Sequence, residues 1–243
     1  SGAGAPVSAA PEAPGFHRVR RPVPDEAARV SIVIPSRDRA DLLRACVRSI
    51  DERSTWPHRE LVIVDNGSRE PESLALLEEL AAAGAIVVRD DSAFNFSALC
   101  NRGAAAASGD VLCLLNNDIE VRSAGWLEEM LSFALLPDVG CVGARLWYPD
   151  GTLQHGGVLL GLGGVAGHQH HGLPRGNPGY FGRGVVHQAV SAVTGACLMV
   201  RRDTWEAVGG LDETLAVAFN DVDFCLRVRA LGLRNVWTPY AEL

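Results

Sequence analysis

Four short polar clusters carry the residue types that group transfer needs, and each directly follows an apolar run or a single aromatic. Asn220-Asp221-Val222-Asp223 places two carboxylates in what reads as the first turn of a helix, just after Phe219. The helix dipole favours acids there in any case, but the preceding phenylalanine points the pair towards a pocket. A carboxylate so placed can take a proton from an attacking hydroxyl. Residues two apart on a helix point about 200° apart, so only one of the two can face a substrate. Asp223 has Arg227 four residues on, the favoured order for a helical ion pair; Asp221 has Cys225 there, which leaves its carboxylate for the cleft. Asp118 follows Asn116 and Asn117 after the run VLCLL, where a carboxylate can coordinate a Mg²⁺ or Mn²⁺ that bridges a diphosphate. Asp65 ends the run ELVIV beside Asn66-Gly67-Ser68. It can accept the N3–H of uracil or thymine, although the same four residues are also ordinary turn chemistry. Ser36-Arg37-Asp38-Arg39 closes the first apolar run, either as a charged helix start or as the edge that meets a nucleotide.

Strands must hold these clusters. Val30–Pro35, Glu60–Val64 and Val111–Leu115 are short apolar runs that read as buried strands. Helices are expected between and after them: Ala40–Ile50, Pro71–Ala83 closed by Gly84, a helix capped by Asn95 running to Ala107, and Gly125–Leu135. Ala85–Arg89 and Val139–Ala144 read as further strands. The alternation predicts an α/β fold, a mostly parallel sheet with helices on both faces. Ligands bind such sheets beyond the carboxyl ends of the strands, where the clusters at Ser36–Arg39, Asp65–Ser68 and Asn116–Asp118 fall. The second half is irregular. Leu146–Gly184, rich in Gly, His and Pro, reads as a long functional loop or small subdomain. A strand over Ser191–Arg201, a short helix over Arg202–Val208, an amphipathic helix over Asn220–Leu231 and a last strand over Asn235–Thr238 follow. Residues 1–29, rich in Ala, Pro and Gly, read as a flexible linker or tag-derived segment, with order beginning at Val30.

Composition removes several function classes. The 243 residues carry 29 acids against 22 bases, a net charge of −7, which disfavours general nucleic-acid binding. Every one of those bases is arginine, so a Walker A lysine, a Schiff-base lysine and a kinase lysine are all excluded. Any phosphate must be held by arginine, backbone N–H groups or a metal. No G-x-G-x-x-G follows the first strand, which argues against a nicotinamide or flavin enzyme. Six scattered cysteines without a C-x-x-C read as buried free thiols of a reducing compartment. The apolar run 156–167 is too short to span a bilayer, and no signal-peptide pattern opens the chain. His155, His168, His170 and His171 lack a nearby cysteine and a helical i,i+4 pair, so they read as polar loop residues rather than as a zinc site.

Taken together and in this order, the four clusters resemble those of the family 2 glycosyltransferases, whose fold is GT-A, a Rossmann-like sheet with an irregular acceptor-side half. The resemblance runs from about Val30 to Leu243. Thr194–Glu213 and Gln154–His168 resemble the acceptor-side blocks of members that build bacterial surface polysaccharides, O-antigen among them. The resemblance implies a catalytic domain over 30–243, with a nucleotide half over about 30–145 and an acceptor half over about 146–243. It implies that Pro35, Ser36, Arg39, Asp65 and Asn66 border the nucleotide, that Asn101 and Arg102 line the donor site, and that Asn117 approaches the ribose or the metal shell. Asp118 then binds Mn²⁺ or Mg²⁺, and Asp221 is the catalytic base, with Asp223 mainly structural. His155 and Trp205 fall on the acceptor side, Trp205 as a surface for stacking a sugar. Two departures from the family pattern stand out. Asn116 replaces the first aspartate of Asp-x-Asp, and the metal-binding histidine expected after the last strand would lie beyond Leu243.

The expected activity is therefore an inverting transfer from a UDP- or dTDP-sugar to a hydroxyl of a saccharide or lipid-linked glycan. The resemblance implies a cytoplasmic enzyme, at most peripheral to the inner face of the plasma membrane. A sugar-nucleotide pyrophosphorylase would want an activating lysine, which is absent. The remaining alternative is a non-catalytic nucleotide-sugar or glycan-binding domain of a larger synthase, separable by asking whether Mn²⁺ supports turnover or nucleotide binding alone.

Overall fold

The apolar runs form strands that lie side by side, and the computed structural model describes residues 6–11, 13–24 and 28–243. Two short strands, Val7–Ala9 (β1) and His17–Val19 (β2), pair antiparallel at the start of the chain. Val30–Ser36 (β3), Ala40–Arg53 (α1), Arg59–Asp65 (β4), Pro71–Ala82 (α2), Ile86–Arg89 (β5), Phe96–Ala106 (α3) and Val111–Leu115 (β6) then alternate. Trp126–Ala134 (α4) and Val139–Trp147 (β7) follow. The irregular half holds Leu153–His155 (β8), Val158–Leu160 (β9), Ala166–His168 (β10), Gln188–Val190 (β11), Cys197–Arg201 (β12), Arg202–Ala207 (α5), Asn220–Ala230 (α6) and Arg234–Glu242 (β13).

The main sheet runs β11-β13-β7-β12-β6-β3-β4-β5, with β8 paired to β7. The steps β6-β3, β3-β4, β4-β5 and β7-β13 are parallel; β12 runs antiparallel between β6 and β7. Both faces are covered because alternate residues are apolar in both directions. Ile32, Ile34, Ile63 and Cys113 face one core with α1, α2 and α4. Val33, Val62, Val64, Leu112 and Leu114 face the other with α3, α5 and α6. Gly103 lets α3 lie directly on the sheet, since a Cβ there would overlap Val33 and Val64.

Three expectations are corrected. Ordered structure precedes Val30: Arg18 on β2 forms an ion pair with the buried Glu129 of α4 at 2.6 Å. The strand expected over Ser191–Arg201 begins only at Cys197, because the Gly195 N–H goes to Asp221 and not to a neighbouring strand. The last strand reaches Glu242 despite Pro239, accommodated by a register shift against β7 between Trp237 and Glu242.

Candidate active site

At the end of β3, Ser36 is buried and accepts a hydrogen bond from Asn117 Nδ2 at 3.1 Å, which ties the β3 and β6 ends together. Pro35 beside it is half-buried. The chain then turns through Asp38 (φ 50°) and Arg39 (φ 52°), two consecutive non-glycine residues in the left-handed region. Each such residue costs about 1–3 kcal/mol unless its surroundings hold it. Asp38 supplies the hold. Its Oδ1 accepts the backbone N–H of Arg69 (2.7 Å) and of Glu70 (2.9 Å), and its own N–H donates to Ser68 Oγ (2.7 Å). Those two N–H donors also keep the Asp38 carboxyl below its ordinary pKa. Arg39 stays exposed at the rim, paired with Asp41 at 2.7 Å.

Asp65 is 1% exposed. Its Oδ1 accepts the Ser68 N–H (3.0 Å), and its Oδ2 pairs with the Arg89 guanidinium at the end of β5 (2.6 Å). Asp65 thus shares its carboxylate with Arg89, a partner that the sequence reading does not include. Asn66 is buried as well, and its Nδ2 donates to the carbonyls of Asp90 and Ser92, so it braces the β5 end and does not line a nucleotide surface. Arg102 reaches the same corner and pairs with the buried Asp90 at 2.8 Å. Bonds from Ser92 keep the Asp90 carboxyl below its usual pKa.

After β6, Asn116 and Asn117 are half-buried and Asp118 is exposed. Asp118 lines a broad depression of about 1070 Å³ along α1 that contains Arg48, Arg53, Arg122, Arg175 and Trp147. That depression takes in neither Asp65 nor Asp221, so volume alone does not define the site. Hydrogen bonds do. The Asn116 N–H donates to the Ala196 carbonyl (3.0 Å), and the neighbouring Gly195 N–H donates to Asp221 Oδ2 (2.9 Å). The segment 194–196 thus spans from the Asn-Asn-Asp loop to the first turn of α6. No group of three or more His, Cys, Asp or Glu side chains arranged to hold a metal occurs among the described residues. A Mg²⁺ or Mn²⁺ that takes most of its ligands from a substrate diphosphate and water needs only one or two carboxylates, and the exposed Asp118 fits that limited requirement.

Phe219, exposed and left-handed (φ 61°), turns the chain into α6. Asp221 lines a cleft of about 230 Å³ with Val158, His168 and Phe219. Asp223 pairs with Arg227 at 2.8 Å, and Arg227 also donates to the Val208 carbonyl. Three other sequence candidates face inward. Trp205 is 6% exposed and packs against Phe224 with ring centroids 4.9 Å apart, so it belongs to the core and offers no face to a sugar. Asn101 gives both Nδ2 hydrogens to the Leu211 carbonyl and Glu213 and accepts the Leu211 N–H, clamping α3 to the 208–213 turn and not lining the donor site. His155 is 0% exposed, so it cannot touch an acceptor directly.

Sequence reasoning missed Arg89 and Gly195. Arg89-Asp90-Asp91 ends a strand in the same manner as the clusters already chosen, which is a usable signal; nothing in the sequence marks Gly195 as a donor to Asp221.

A central α/β sheet with polar strand ends joined to an acidic helix start is the architecture of GT-A glycosyltransferases. The chain belongs to glycosyl transferase family 2, whose model matches residues 31–208. It is 42% identical over 234 residues to the O-antigen biosynthesis protein RfbC of Myxococcus xanthus, covering 95% of this chain and 18% of that protein. It is 50% identical over 217 residues to the uncharacterized protein y4gI of Sinorhizobium fredii, covering 88% of this chain and 24% of that one. The chain therefore spans a quarter or less of these two relatives. Among solved structures, a mannosyltransferase from Pyrobaculum calidifontis in complex with GDP-Man and Mn²⁺ superposes with a TM-score of 0.68 at 17% identity, over 92% of this chain and 58% of that one. GalNAc-T7 with UDP, GalNAc and Mn²⁺ gives 0.70 at 16% identity, over 88% of this chain and 43% of that one. No helix among the described residues is long and apolar enough to cross a membrane.

Proposed function

We propose that this domain transfers a sugar, with inversion, from a UDP- or dTDP-sugar to a saccharide or lipid-linked glycan hydroxyl in bacterial surface-polysaccharide synthesis. The observation that carries the reading is the 194–196 segment, hydrogen-bonded to the Asn116 backbone on one side and to Asp221 on the other. It links a diphosphate-side loop to a carboxylate on a cleft. The nucleotide lies across the β3, β4 and β5 ends, over Pro35, Ser36 and Asn117, with Arg39 and Arg102 at its rim. The Asp65–Arg89 pair forms the edge that reads the base. Pyrimidine preference follows from Asp65, whose carboxylate accepts N3–H once Arg89 shifts towards the ligand.

Asp118 is the residue that would hold Mn²⁺ or Mg²⁺, the diphosphate supplying further ligands. Such an ion, when bound, neutralises charge on the leaving diphosphate. Asp221 takes the proton of the acceptor hydroxyl as its oxygen attacks the anomeric carbon from the face opposite the diphosphate. The Gly195 N–H holds Asp221 Oδ2 in place, leaving its remaining lone pairs for that proton. Fixing donor and acceptor in line supplies much of the remaining acceleration. The relative named for O-antigen biosynthesis supports the polysaccharide setting, and the domain works at the cytoplasmic side, at most peripheral to the membrane.

Thermal shift with UDP, dTDP, ADP and GDP, each with and without Mn²⁺, tests the donor side, since a ligand bound only to the folded state raises Tm. Larger metal-dependent shifts with UDP or dTDP are expected. Equal shifts for all four overturn the base assignment. Nucleotide binding with no sugar released or transferred would favour the binding-domain alternative.

A further inference from the structure

His168 lines the Asp221 cleft, yet the transfer chemistry above gives it no task. It arrives there by a hairpin. The β9–β10 pair sets His168 opposite Val158, and Gly157 (φ 95°) turns the chain out of β8. A Cβ on the preceding Gly156 would press on the Gln169 carbonyl at 2.9 Å. This glycine-permitted approach brings His168 against His155, with Nδ1 to Nδ1 at 2.9 Å and ring planes 83° apart.

Two neutral imidazoles can share such a contact only if one Nδ1 carries the hydrogen and the other accepts it. The backbone of Thr194 decides which. Its N–H can only donate, and it donates to His155 Nε2 at 3.4 Å. His155 is 0% exposed, and burial pushes its pKa well down, with the His168 charge adding to the effect. It therefore stays neutral, with its hydrogen on Nδ1, given to His168 Nδ1. The hydrogen of His168 must then sit on Nε2. Burial lowers the His168 pKa too; the Asp221 charge opposes this and His171 reinforces it. Among the described residues Nδ1 is the only ring nitrogen of His168 in a hydrogen bond, so Nε2–H is left for the cleft.

We propose that His168 positions the acceptor: its Nε2–H, fixed by His155 and Thr194, donates to an acceptor-sugar hydroxyl next to the one that Asp221 deprotonates. The ligand class is a polyol with adjacent hydroxyl oxygens, and the inference rests on Asp221 being the base. An asparagine amide places a polar atom near ring Nδ1, whereas a glutamine amide reaches the place of Nε2. His168→Asn thus keeps the contact with His155 and loses the donor, while His168→Gln restores a donor at the cleft.

The test has two arms on the whole chain. Long-range ¹H–¹⁵N correlation at pH 7.5 reads the tautomers directly, with His155 expected as Nδ1–H and His168 as Nε2–H. Reversed tautomers, or a charged His168, overturn the inference whatever the activity. The second arm measures nucleotide release from UDP-glucose, UDP-galactose and dTDP-rhamnose, with water alone and with octyl glycosides of glucose, galactose, rhamnose and N-acetylglucosamine. His168→Asn is expected to lower glycoside-dependent release at least tenfold more than it lowers hydrolysis by water, with His168→Gln recovering part of the difference. Equal loss of both reactions means a purely structural role, and an unchanged glycoside-dependent rate, absent in wild type and variant alike included, also overturns the proposal. Asp221→Asn run alongside separates the two ideas: if it leaves both reactions intact, the base assignment fails on its own account.

Discussion

The regular half, residues 30–145, and the irregular half, residues 146–243, hold their polar residues in different ways. In the regular half, charged groups at neighbouring strand ends hold one another. Asp38 takes two N–H groups from the β4–α2 turn, Asp65 takes Arg89 from β5, and Asp90 takes Arg102 from α3. In the irregular half, the polar groups are fixed by irregular backbone: Gly195 holds Asp221, and Thr194 holds His155. The first arrangement needs only strands of matching length. The second needs a hairpin and a turn shaped by glycine. On the proposed function, the regular sheet would serve the nucleotide sugar and the choice of acceptor would rest with loops that carry little regular structure.

The largest stability effect should fall where the two halves share a core. Trp205 packs on Phe224 among residues from α3 and the sheet, so Trp205→Ala should destabilise by about 3–5 kcal/mol, the range for emptying a large aromatic site. Denaturant unfolding measures it. A change below about 1 kcal/mol with lost acceptor affinity would return Trp205 to the sugar-stacking role that the structure denies it.

The ion pair that anchors β2 to α4 should show in acid. Burial disfavours the Glu129 charge, but hydrogen bonds from His187, Thr238 and Arg18 overcome this and hold its pKa down to about 2. A carboxyl depressed on folding contributes stability that is fully present above its unfolded pKa near 4.5 and is lost as pH falls towards 2. Stability of the wild type should therefore drop by a few kcal/mol more than that of Glu129→Gln between pH 5 and about pH 2, the sum being about 1.4 kcal/mol per pKa unit. Parallel curves for the two proteins would mean that Glu129 has no such depressed pKa.

The smallest effect is expected at Asp223. Its pair with Arg227 is half-exposed, and helical pairs of this spacing contribute roughly 0.3–0.5 kcal/mol. Asp223→Asn should lose about that much in Tm-derived stability and little activity. A dead Asp223→Asn would show that the base had been assigned to the wrong aspartate and would erase the contrast between the two faces of α6.

How much of this was legible follows the same division. Val111–Leu115 was read from its apolar run without error, and Asn95 does cap α3, accepting the Ala98 N–H at 3.1 Å. Patterns of period two and 3.6 are local, so a sequence displays them. The partners of polar groups are not local. Nothing near Asp65 announces that Arg89, 24 residues on, will sit on its carboxylate, because that pairing arises from the parallel register of β4 and β5. Nothing near Trp205 announces Phe224. The stretch 146–184 read as a loop because β8, β9 and β10 are three residues each, too short for alternation to show.

The central claim is that nucleotide binding and proton removal reside in separate halves joined through residues 194–196. Nucleotide affinity and sugar transfer measured side by side on Asp118→Ala and Asp221→Asn test it most directly. The account predicts that Asp118→Ala loses the Mn²⁺-dependent part of UDP or dTDP affinity. Asp221→Asn should bind nucleotide like the wild type while kcat falls by about 10²–10⁴, the range for removing a general base. An Asp221→Asn protein that turns over normally, or an Asp118→Ala protein whose nucleotide affinity keeps its full metal dependence, would contradict it.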